Sequence, residues 1–76
     1  MIQEMIYKAL EHKFQSNIDE AEATIEIYFT NPVGIGEHPQ HLEEIKKHID
    51  IISKNEGRLD ILLKYFSDYN ESRGNK

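Results

Sequence analysis

The sequence predicts an all-α fold, an antiparallel helical hairpin of two long helices, and three observations carry the prediction. Apolar residues recur at three- and four-residue steps along both halves of the 76-residue chain, which is the period of a helix and not of a strand. Between the halves, Asn31-Pro32-Val33-Gly34-Ile35-Gly36-Glu37-His38-Pro39 gathers half of the glycine and all of the proline. In the second half the steps alternate strictly between three and four, the pattern of a heptad seam that requires a neighbouring helix. One domain over 1–69 is expected, with helices over about 2–29 and 39–69, a loop over 30–38 and a disordered polar tail over 70–76.

In the first segment the expected inward positions are Ile2, Ile6, Leu10, Phe14, Ile18, Ala21, Ile25 and Tyr28. A strand-like alternation intrudes at Thr24-Ile25-Glu26-Ile27-Tyr28-Phe29. With no second strand to pair its backbone, the helical reading is preferred there. Pro32 forces Asn31 out of the α region, so the helix should stop near Thr30. Gly34 and Gly36 let the chain reverse. Val33 and Ile35 are too apolar for a solvated linker and are expected to plug the end of the hairpin. Pro39 suits the first position of a second helix, where its missing N–H costs nothing.

The loop residues Asn31 to Pro39, preceded by a helix ending in aromatics and followed by a heptad-patterned helix, resemble a family of short uncharacterised proteins of T4-like marine phages. The resemblance implies a phage accessory protein working in the host cytoplasm, and it brings no activity, cofactor or functional residue with it.

The second segment places Leu42, Ile45, Ile49, Ile52, Glu56, Leu59, Leu63 and Phe66 on its seam. Glu56 puts a charge inside, and Gly57 beside it costs about 1 kcal/mol relative to alanine. Folding the two arms about a symmetric loop brings Glu56 opposite Lys13 and beside Asn17, so a register-setting polar layer of Glu56 with Lys13 or Asn17 is expected. Toward the open end, remote from the loop, apolar residues cover more than one stripe. Ile6 and Leu10 on one arm, with Ile61, Leu62, Tyr65, Phe66 and Tyr69 on the other, are the expected interaction residues. A hairpin covers only the facing side of each arm, so a homodimer forming a four-helix bundle is the expected way to hide them.

Composition narrows the function. A net charge of -5 and the lack of any basic stripe argue against a nucleic-acid partner. No apolar run is long enough to cross a bilayer and no secretion-signal layout is seen, so a soluble, cytoplasmic protein without a membrane partner is expected. The absence of cysteine removes disulfides and thiolate metal sites as staples, and leaves association.

His41, Glu44 and His48 share a helical face, with His38 and Glu37 nearby, in a spacing able to hold a divalent metal. No recognised ligand motif supports it, and solvated or capping histidines are the preferred reading. Asp19, Glu20, Glu22 and Glu26 invite comparison with magnesium-dependent phosphohydrolase bundles. They lack a basic group to hold phosphates and read as a solvated face. Gly34-x-Gly36 lacks the context of a phosphate loop. Neither a catalytic residue, a metal nor a cofactor is expected, and the expected function is a non-enzymatic interaction module with an unidentified protein partner, with a metal-binding or metal-dependent phosphohydrolase-like helical bundle as the alternative.

Overall fold

A computed structural model describes residues 2–31 and 40–70. Helix α1 spans Ile2–Thr30, helix α2 spans Gln40–Phe66, and a short 3-10 turn, Ser67–Tyr69, follows α2. Among the described residues there is no strand. The helices lie side by side and antiparallel: Tyr28 meets His41 near the loop, Asn17 meets Asn55 midway, and Phe14 meets Arg58 further on. The result is a rod of 54 × 18 × 17 Å. Expectations placed on Val33, Ile35, Glu37, His38, Pro39 and the tail beyond Asn70 lie outside the described residues.

Local chemistry explains the ends. The α1 helix closes with the Asn31 N–H donating to the Ile27 carbonyl at 3.0 Å, one residue before Pro32 removes the next donor. Thr24 and Thr30, β-branched residues that favour strands, turn their hydroxyls onto the carbonyls of Glu20 and Glu26 at 2.9 and 2.8 Å. Such back-bonding satisfies the hydroxyl inside a helix. At the other end α2 tightens into the 3-10 turn, closed by the Asn70 N–H on the Ser67 carbonyl at 3.0 Å.

The seam between the helices differs from the expected one, on both arms. In α1 the buried residues are Tyr7, Ile18 and Ala21, whereas Ile2 and Ile6 are 66% and 56% exposed. Steps of four drift by about 40° each at 100° per residue, so Ile2, Ile6 and Leu10 spiral away from Phe14. Tyr7, seven residues before Phe14, remains in line. In α2 the residues Ile45, Ile52 and Leu59 are half-buried as expected. Their alternates, however, are His41, His48, Asn55 and Leu62, and Leu42, Ile49, Glu56 and Leu63 face outward.

The rotation of α2 has a physical reason at its centre. Asn55 is 2% exposed. Its Oδ1 accepts from Asn17 Nδ2 at 3.0 Å and from Arg58 Nη1 at 3.4 Å, and its Nδ2 donates to the Ile51 carbonyl at 2.8 Å. A polar layer lies at this level and contains Asn17, but the expected Glu56 is not part of it: the partner is Asn55, and Glu56 and Lys13 are both exposed. Burying a neutral amide whose hydrogen bonds are met costs far less than burying a carboxylate, and one residue of rotation makes that exchange.

Gly57 does not interrupt α2. A Cβ placed on it would meet nothing within 4 Å. Gly57→Ala should therefore remove only the backbone-entropy cost, stabilising the hairpin by about 0.5–1 kcal/mol. Urea titration followed by circular dichroism checks this through a higher midpoint with unchanged slope.

Candidate interaction surface

At the open end the helices enclose a groove of about 360 Å³. Its floor is Tyr7, Phe14 and Leu62; Ile6 and Leu10 wall it on α1, and Arg58 and Ile61 on α2. Phe66 and Tyr69 line its end. The 3-10 turn matters here, because it carries Tyr69 onward beside Phe66 as the regular helix stops. Arg58 rims the groove with its guanidinium 5.7 Å from the Phe14 ring centroid, a cation-π arrangement that lets a charged residue border an apolar surface.

Of the expected interaction residues, Ile6, Leu10, Ile61, Leu62, Phe66 and Tyr69 come together in this groove. Tyr65 does not line it. That side chain is 65% exposed and stacks with its own neighbours, Phe66 at 6.4 Å and the Lys64 ammonium at 5.4 Å. Leu62 is placed differently from expectation: at 7% exposure it belongs to the seam inside one hairpin. Sequence reasoning placed Phe14 on the inward face and Tyr7 among the apolar residues crowded at the open end, and missed Arg58 as a groove residue. Seven-residue spacing from Tyr7 to Phe14 aligns the first two, and nothing but an arginine's apolar stem pointed to the third.

A second apolar surface runs along α2. Leu42, Ile49 and Leu63 are all more than half exposed, and they alternate with the half-buried Ile45, Ile52 and Leu59. This stripe is the seam expected from the sequence, left uncovered by the rotation of α2.

The other candidate chemistries fare as follows. His41 and His48 are half-buried seam residues and not the solvated histidines expected. The Tyr28 and His41 rings lie 5.5 Å apart, and His48 Nδ1 donates to the Glu44 carbonyl at 2.8 Å, which occupies that nitrogen. Among the described residues, no three His, Cys, Asp or Glu side chains gather in a way that could hold a metal ion. Glu20, Glu22 and Glu26 are exposed, as is Asp19, which accepts from Gln15 Nε2 at 3.0 Å. No helix among the described residues is long and apolar enough to cross a membrane. No family model matches the chain, and neither a curated protein nor a solved structure matches it.

Proposed function

We propose that the hairpin is a non-enzymatic protein-association module that works as a two-fold homodimer, a four-helix bundle built from two hairpins. The observation that carries this is the distribution of apolar side chains. Among the described residues only Tyr7, Ile18, Ala21 and Leu62 are buried apolar side chains, while the groove walls at the open end and the α2 stripe stay in solvent. Chains of this length bury only about 60% of their unfolded surface and are marginal alone. A second copy supplies the missing burial. Within the phage setting implied by the loop, the bundle would act on a host or phage protein in the host cytoplasm, by holding it and not by transforming a small molecule.

Phe66 is the residue on which to test association, because it borders both apolar surfaces and is 46% exposed. Sedimentation equilibrium of the natural sequence at micromolar concentration is expected to give the dimer mass. Phe66→Glu should give the monomer mass, since a carboxylate cannot be covered there without a partner. A natural sequence that sediments as a monomer, or an unchanged mass for the variant, would remove the reading.

A further inference from the structure

We infer that the two copies meet along the outer stripe of α2, helix against helix and antiparallel, and that the open-end groove stays outside this contact except at Phe66, which borders both. The inference rests on the association reading above and specifies its surface. Ile61 and Leu63 stand on opposite sides of the buried Leu62, about 100° away in each direction. The groove uses Ile61, so the stripe that runs through Leu63 faces another way.

That stripe is a complete seam. Leu42, Ile49, Glu56 and Leu63 alternate with Ile45, Ile52, Leu59 and Phe66 at three- and four-residue steps, spanning α2 almost from end to end. Docking on a helical partner is what such a seam does. The identity and direction of that partner follow from charge. A parallel copy would set Glu56 against Glu56, two carboxylates in one apolar layer, which is unfavourable. An antiparallel copy sets Leu42 against Phe66 of the second copy, Ile45 against its Leu63, and Ile49 against its Leu59. Glu56 then meets Ile52 of the second copy, with the Ser53 hydroxyl of that copy alongside as a donor for the carboxylate.

The flanking charges fit the same arrangement. Lys46 and Asp60 occupy equivalent flanking positions of the stripe, both are exposed, and neither forms an ion pair among the described residues. In the antiparallel pairing Lys46 of each copy lies within about 3 Å, along the axis, of Asp60 of the other. Opposite charges at such positions select partner and direction. The same chain supplies both halves of each pair, which is why the occupant is a second copy.

The chain has no cysteine, so single cysteines report the register directly. Ser53→Cys falls beside the two-fold axis and should join two chains efficiently through a short bismaleimide. Tyr65→Cys would lie roughly 30 Å from its counterpart and should not. In sedimentation equilibrium, Ile49→Glu and Leu63→Glu should weaken the dimer by at least about 100-fold, and Ile61→Glu should leave it intact. Glu56→Leu should tighten it about 10-fold or more, whereas Glu22→Leu on α1 should not. Dissociation by Ile61→Glu together with a dimer that survives Ile49→Glu would place the dimer at the groove and overturn the inference while keeping the association reading. No response to Glu56→Leu would overturn it as well. A natural sequence that is monomeric throughout would remove both.

Discussion

Leu62→Glu is expected to unfold the hairpin, and Leu63→Glu, one residue further along, is expected to leave it folded. The two substitutions are chemically identical. Leu62 is 7% exposed in the seam against α1, and Leu63 is 51% exposed. The first variant forfeits a buried leucine and places a carboxylate among Tyr7, Phe14 and Phe66, at a combined cost on the order of 4 kcal/mol or more. Domains are stable by roughly 0.05–0.15 kcal/mol per residue, so a loss of that size consumes most or all of what a chain this short possesses. The helical circular dichroism signal at 25 °C should collapse for Leu62→Glu and persist for Leu63→Glu. Equal loss in both would mean either that α2 is rotated differently from the arrangement described or that the hairpin does not stay folded without its second copy.

The second large effect belongs to the asparagine layer. Asn55→Ala should cost about 2–3 kcal/mol, because it leaves the Asn17 amide without its acceptor in a half-buried position and opens space beneath the Arg58 guanidinium. Replacing both partners by leucine should be close to neutral, or stabilising, since no polar group is then left unmatched. A double-mutant cycle of Asn17→Leu and Asn55→Leu, measured by urea unfolding, should show a coupling of about 1–2 kcal/mol. Additive effects would mean that the amide pair contributes nothing to the alignment of the helices.

How far the fold could be read from the chain follows from particular residues. The helical identity of both arms and their antiparallel arrangement were legible, because Pro32 and the paired glycines punctuate a pattern of period 3.6. The end of α2 was not, since the helix expected to about 69 gives way to a 3-10 turn after Phe66. Even Thr24 to Phe29, which alternates like a strand, obeyed the rule that an unpaired strand cannot satisfy its backbone. Rotation about the helix axis was not legible. On α2 two stripes share Ile45, Ile52 and Leu59, and apolarity alone favours the one through Leu42, Ile49 and Leu63. The choice of the other depends on a long-range partnership, Asn17 with Asn55, that no local pattern announces. On α1 the four-step run Ile2, Ile6, Leu10 reads as a stripe, but only its alignment with Phe14 decides which way it drifts.

The interaction residues follow the same division. Crowding of apolar side chains at the open end was visible in the sequence, and all but Tyr65 of the expected set line the groove. Which member serves the fold and which is left for association was not visible. Leu62 and Ile61 are adjacent and chemically alike, and their roles separate only when the helix phase is known.

The placement of polar and apolar layers along the rod bears on how the chain folds. Near the loop the inward face of α2 carries His41 and His48, residues that add little cohesion, whereas Tyr7, Phe14 and Leu62 gather where the two strands of chain are most distant in sequence. Zipping the arms together from the bend first forms the weakest rungs, and the entropic cost of closing ever longer segments is recovered only when the far rungs engage. A half-closed state thus has little to hold it. Hydrogen exchange at Ile18 and at Leu62 should accordingly report a single, shared opening event, as in an all-or-none transition.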